Sequence, residues 1–354
     1  MPTTTVLLSG GYTHDDPTGV RLYDASDPKG DLVELGGFDD LEHPSYLAAH
    51  PHLSVVYAVS EVGEFDGRPG GGIVALTVDA ASGALDVLDR ASSLGRAPCH
   101  LSVTVDGSAL AVANYASGSI AVYDLEPDGR FGPLRGHHQH AGTGPHARQE
   151  GPHAHCVRPD PRGRSLYALD LGTDQILRYD LGAAGMPRTQ IVSTAPGAGP
   201  RQLVFHPTEP RAFVINELDN TLTEYRITEP GGDLEPTATT ATLPADADSS
   251  IAADVQIHPD GHLVYASNRG HDSIAIFDCA DPDDPLRLLG RVDSGGRTPR
   301  STVVHPSGET FFVANQDSDA IVSFGIGVGG ELEARGVVAQ TSAPTCLITA
   351  EMPT

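Results

Sequence analysis

A pattern of paired short apolar strands recurs seven times along the chain, its anchors 45 to 54 residues apart. No segment shows helical periodicity with caps, and the last copy breaks off at the C-terminus while strands without a partner stand at the N-terminus. A period near 50 residues with about four short strands per unit predicts an all-β chain, a seven-bladed β-propeller spanning residues 1–354. The ring is closed by the C-terminal strand joining the N-terminal blade, which removes the edges an open array would expose.

Each copy reads as Pro with a nearby polar or basic residue, a short strand (A), a His-Pro or Asp-Gly turn, and a second strand (B) ending in Asn or Asp. The first runs from His43-Pro44-Ser45-Tyr46-Leu47 to Val55-Val56-Tyr57-Ala58-Val59. The next run from Pro98-Cys99-His100-Leu101 to Asn114-Tyr115, from Pro152-His153-Ala154-His155 to Asp170, and from Pro200-Arg201-Gln202-Leu203 to Asn216-Glu217. The fifth runs from Ala252-Ala253-Asp254-Val255 to Asn268-Arg269, and the sixth from Pro299-Arg300-Ser301-Thr302 to Asn315-Gln316. The seventh starts at Pro344-Thr345-Cys346-Leu347, and Thr5–Ser9, Gly19–Tyr23 and Leu32–Leu35 supply the rest of it. Turns such as His258-Pro259-Asp260-Gly261 make A and B a hairpin, so the start of A and the end of B lie at one face of the ring.

Composition narrows the function. Of 354 residues, 22 are Lys or Arg and 47 Asp or Glu, a formal charge of −25. Such acidity argues against nucleic acid, whose phosphates need clustered basic residues. No apolar run approaches the ~18 residues of a membrane span, and Met1-Pro2-Thr3-Thr4-Thr5 lacks the basic start of a signal peptide. Cys99, Cys156, Cys279 and Cys346 show no paired spacing, so a cytoplasmic chain with free thiols is expected. Lys29 is the sole lysine and sits in a turn, which disfavours Schiff-base chemistry.

Against that acidity, the hairpin geometry collects a basic cluster at one mouth of the channel. The starts of A strands bring His100, His153, His155, Arg201 and Arg300. The ends of B strands add Asn114, Tyr115, Asp170, Glu217, Asn268 and Arg269. Guanidinium groups bind carboxylate or phosphate through paired hydrogen bonds, and an imidazole moves protons near neutral pH. A small anion that gains or loses a proton is the expected partner.

At these residues the chain resembles the lactonase family of seven-bladed propellers, which contains propeller-type 6-phosphogluconolactonases and 3-carboxy-cis,cis-muconate lactonising enzymes. The resemblance rests on Ala147-Arg148-Gln149-Glu150-Gly151-Pro152-His153-Ala154-His155, Asp170-Leu171-Gly172-Thr173-Asp174, Gly199-Pro200-Arg201, Asn216-Glu217-Leu218, Ser267-Asn268-Arg269-Gly270 and Pro299-Arg300. It implies a catalytic set of His153 (or His155), Arg201, Glu217 and Arg269. His155, Arg148, Arg300, Asn114, Tyr115, Asp170, Asn268 and His100 are then expected to bind substrate, with Arg148, Arg269 or Arg300 on a distal phosphate or carboxylate. Where the family commonly reads Gly-Pro-Arg-His, Gln202 follows Arg201. The expected function is lactone hydrolysis on a substrate such as 6-phosphogluconolactone, without metal or cofactor. Two rivals stand beside it, a muconate-type cycloisomerase and a non-catalytic propeller scaffold.

Other signals are set aside. His137, His138, His140 and His146 sit in a Gly-rich inter-blade stretch without the rigid spacing zinc favours. Gly325, Gly327 and Gly330 match a dinucleotide fingerprint but open no βαβ unit. Asp281-Pro282-Asp283-Asp284-Pro285 lacks the Gly and terminal Glu of a calcium loop.

Overall fold

In the computed structural model, which describes residues 3–14, 19–228, 231–247, 249–281 and 284–353, seven four-stranded antiparallel sheets are arranged as blades. Met1, Pro2 and Thr354 of the expected domain lie outside the described residues, as do Pro282 and Asp283 of the rejected calcium loop. Blade 1 combines the two ends of the chain: Pro344–Pro353 is innermost, followed by Thr3–Gly11, Val20–Asp24 and Val33–Phe38. The closing pair is antiparallel, with Val6 opposite Ala350 and Leu8 opposite Ile348.

The other blades run outward in chain order. Blade 2 starts with Leu47–Ala49 and Val55–Ser60, and carries a small hairpin, Glu64–Phe65 with Arg68–Pro69, before its outer strands. Blades 3 to 7 begin at the inner strands Pro98–Val103, Ala154–Pro159, Pro200–Phe205, Ile251–Ile257 and Pro299–Val304. Each inner strand contacts the inner strands of both neighbouring blades, Pro344–Pro353 included, so the ring is complete.

Adjacent blades are glued by the alternation of strand side chains. In Leu263–Arg269 of blade 6, Val264 and Ala266 pack with Phe213 and Ile215 of blade 5, while Tyr265 packs with Phe311 of blade 7. Successive side chains point to opposite faces of the sheet, so one strand feeds two inter-blade cores. Fully burying each such ring contributes about 1.5–3 kcal/mol.

Two local devices shape the mouth. A β-bulge near the start of the inner strand shifts register between Pro98 and His100, Ala154 and Cys156, Pro200 and Gln202, Ala252 and Val255, and Pro299 and Ser301. The bulged residue is unpaired and its side chain re-aimed; these positions hold Cys99, His155, Arg201, Ala253 with Asp254, and Arg300. The second device is a blade-to-blade clamp. Asn114 and Asn315 donate from Nδ2 to the carbonyls of Ser93 and Ser294, each at 2.9 Å, and Thr242 donates to Asn268 Oδ1 at 2.6 Å. At blade 4 the clamp is ionisable instead, with His140 Nδ1 2.6 Å from Asp170 Oδ2.

Candidate active site at the channel mouth

The bulge in blade 5 sends Arg201 toward the channel, and the next blade-mouth position, just past the end of Arg211–Asn216, presents Glu217. Glu217 is 1% exposed and is met by three guanidinium groups. Arg201 Nε lies 2.7 Å and Arg269 Nη2 2.9 Å from Oε2, and Arg148 Nη1 lies 2.5 Å from Oε1. Arg201 also donates to the carbonyl of Ala253, and Arg269 to that of Ala252 at 3.1 Å. Four of the expected residues, from blades 5 and 6 and the loop before blade 4, therefore converge.

The Arg201–Glu217 approach is a close ion pair, but its N–H is not aligned on the oxygen. Arg201 Nε and Arg269 Nε are both buried without an aligned hydrogen-bond partner among the described residues. Burial alone would raise the Glu217 carboxyl, yet Arg269 and Arg201, with Arg148, outweigh it and hold it well below the usual carboxylate range. A carboxylate so stabilised is a weak base. In this geometry it holds three cations together. Burial pushes Arg269 down to about 9, which leaves it charged at neutral pH.

The two mouth histidines separate. His155 occupies the bulge of blade 4 and lines a narrow cavity with Arg201, Gln202, Asp254 and Arg300, its Nδ1 buried and without a partner among the described residues. Burial first, then the neighbouring Arg201, holds it well below the ordinary histidine value, so the ring is neutral at pH 7. His153 lies at the rim. Its ring stacks on Tyr115 with centroids 4.4 Å apart, Nδ1 is 3.1 Å from the Tyr115 carbonyl, and Nε2 is 3.4 Å from Glu150. Gly172 lets this segment pass, because a Cβ there would sit 1.9 Å from the Gly151 carbonyl.

Several expected substrate contacts are placed elsewhere. Asn114 and Asn268 are fully buried, and both amides bond across blade junctions. Asp170 is also fully buried; it accepts the backbone N–H of His153 at 2.8 Å and of Thr173 at 3.1 Å, which orients the rim. His100 lies one layer deeper because the bulge falls on Cys99; its ring packs 4.2 Å from Tyr46, and Gln202 bonds to it. Tyr115 and Arg148 are joined by a 3.1 Å bond at the mouth. The expected loop histidines also move: His137 and His138 belong to the outer strand Phe131–Gln139, and His140 is the buried partner of Asp170.

Arg300 points into the same cavity from the opposite side, with Nη2 2.9 Å from the Tyr12 hydroxyl and Nη1 3.2 Å from Gln316 Oε1. Tyr12 and Glu61 were absent from the sequence-based set. They occupy in blades 1 and 2 the slot that Glu217 occupies in blade 5, the residue just past the paired end of strand B, whereas Arg269 of blade 6 is itself the last paired residue, opposite Ile251. That register was the signal that could have found them.

Among the described residues no cluster of three or more His, Cys, Asp or Glu could hold a metal ion, and no helix is long and apolar enough to cross a membrane. A larger groove lies on the opposite face between blades 4 and 5, lined by Arg162, Arg164, Arg178 and Glu209. None of the converging residues borders it, and the chemistry follows those residues rather than the volume.

Comparison with known proteins agrees with the propeller fold. A family model described as "Lactonase, 7-bladed beta-propeller" matches residues 6–349. The chain is 33% identical to a 6-phosphogluconolactonase of Bacillus subtilis (strain 168), covering 89% of each chain. It is 30% identical to a 6-phosphogluconolactonase of Formosa agariphila, covering 90% of this chain and 91% of that one. A periplasmic gluconolactonase structure from Pseudomonas aeruginosa superposes with a TM-score of 0.91 at 28% identity, covering 99% of each chain. The chain belongs to the seven-bladed β-propeller lactonase family.

Proposed function

We propose that the protein is a lactone hydrolase acting on small anionic sugar lactones, with 6-phosphogluconolactone the leading substrate. The observation that carries this reading is a buried carboxylate crossed by three arginines, beside a neutral histidine with an unpartnered nitrogen. The names of the relatives in Bacillus subtilis and Formosa agariphila supply the substrate class.

In this reading the lactone carbonyl oxygen approaches Arg201 and Arg269, whose unaligned Nε–H groups stabilise the oxyanion formed when water adds to the carbonyl carbon. His155 takes the proton from that water as the C–O bond forms. As the tetrahedral carbon collapses, the ring C–O bond breaks and the imidazolium returns the proton to the departing alkoxide. Glu217 keeps the guanidinium groups in place. Arg148, its side chain 41% exposed, receives the distal phosphate at the rim. The free, buried cysteines fit a reducing compartment, and we place the enzyme in the cytoplasm on that ground.

The test is the rate of ring opening of freshly generated 6-phosphogluconolactone above its spontaneous background. Wild-type protein accelerates it, and Arg201→Ala and His155→Gln lose about 100-fold or more. A folded wild-type protein that leaves the background unchanged refutes the reading.

A further inference from the structure

Across the channel from the Glu217 cluster lies a second polar group with a different character. Arg300 Nη2 donates to the Tyr12 hydroxyl at 2.9 Å, Tyr12 donates to Glu61 Oε2 at 3.1 Å, and Ser45 donates to the same oxygen at 2.5 Å. The guanidinium also covers the Tyr12 ring at 5.1 Å. Burial pushes the Tyr12 phenol up to about 12, so it remains a donor. Ser45, Glu61 and Arg300 line the narrow cavity that Arg201 and His155 also line.

Two features are unspent by the fold. Both bonds to Glu61 fall on Oε2, and among the described residues no side chain donates to Oε1. Arg300 makes no ion pair among the described residues; its partners are the neutral Tyr12 and Gln316. Taken together, Arg300 and Glu61 cancel in charge, whereas three arginines against Glu217 leave the other side cationic. A carboxylate oxygen beside a guanidinium suits a pair of adjacent hydroxyls, one donating to the carboxylate and one accepting from the cation. It is a poor site for phosphate, which the cationic side attracts.

We infer that Glu61, held by Tyr12 and Ser45 and flanked by Arg300, is a subsite for the vicinal hydroxyls next to the lactone carbonyl. It selects hydroxylated sugar lactones over deoxygenated ones. This rests on the lactone-hydrolase reading. With the carbonyl at Arg201 and Arg269 and the phosphate at Arg148, the C2 and C3 hydroxyls turn across the cavity toward Glu61.

The test compares kcat/KM for 6-phosphoglucono-1,5-lactone and its 2-deoxy analogue in wild-type, Glu61→Gln, Tyr12→Phe and Ser45→Ala proteins, each checked by thermal melting. The wild type prefers the fully hydroxylated lactone by about 10–100-fold. Glu61→Gln brings the two substrates within about 3-fold, mainly through KM for the hydroxylated one, and Tyr12→Phe and Ser45→Ala move the ratio the same way. Should Glu61→Gln fail to fold, those two variants carry the test. Equal losses on both substrates, or an unchanged ratio, overturn the subsite while leaving the hydrolase reading intact. A wild type that opens neither lactone above background overturns the hydrolase reading, and the subsite with it.

Discussion

Replacing Glu217 by Gln removes one negative charge and leaves the shape almost unchanged, so it isolates the electrostatics of the mouth. Two of its cationic partners are buried: the Arg201 and Arg269 side chains are 4% and 11% exposed, against 41% for Arg148. Charge centres about 4 Å apart at an effective dielectric near 20 attract by about 4 kcal/mol, and desolvation of each ion offsets much of that. Removing the shared anion strands two buried cations at once, and losses of this kind run to about 3–5 kcal/mol. Arg148→Ala breaks a pair that water screens, so it costs about 0–1 kcal/mol. Urea unfolding of both variants at pH 7 measures these losses. A second substitution, Arg269→Met in the Glu217→Gln background, recovers part of the loss by removing a stranded charge. Glu217→Gln within about 1 kcal/mol of wild type, or Arg148→Ala as costly as Glu217→Gln, refutes the hub.

Two further outcomes follow from the same geometry. Asp170→Asn weakens the pair with His140 and the hold on the His153 backbone, costing about 1–3 kcal/mol; adding His140→Ser recreates the Asn–Ser clamp of Asn114 and Ser93, so the double variant is more stable than Asp170→Asn alone in thermal melts. His155 has its folded value pushed below the ordinary 6.5, so the unfolded chain binds the proton first and stability is lost as pH falls through that value. Each such histidine contributes a slope of at most about 1.4 kcal/mol per pH unit, and His155→Gln flattens the stability curve by about half that near pH 6.5 and by nearly all of it about one pH unit lower; an unchanged slope in urea titrations rules out a buried neutral His155.

Propeller repeats announce themselves because each blade needs the same strand lengths, turns and apolar alternation, and the copy broken between Pro344–Pro353 and Thr3–Gly11 marks the closure. Arg201, Glu217 and Arg269 were legible for the same reason, since hairpin topology alone places them at one mouth. The bulge was not. It adds one residue to the inner strand, so His100 falls a layer below the mouth while His155 lands in it, and no local composition signals the shift. Asn114, Asp170 and Asn268 sit one residue before the mouth position, and strand alternation turns them into the blade junction, a placement the repeat pattern does not signal. Glu61 and Tyr12 escaped notice because the strands before them end in Ser60 and Gly11 instead of Asn or Asp.

The most direct measurement is the initial rate of 6-phosphogluconolactone opening at pH 7, read against buffer alone, for wild-type protein and for His155→Gln shown to be folded. The proposed mechanism predicts clear acceleration by the wild type and a rate near background for His155→Gln, since it takes the neutral imidazole in the cavity as the base. Full activity in His155→Gln, with loss instead in His153→Gln, contradicts the assignment, and no acceleration by either protein contradicts the account as a whole.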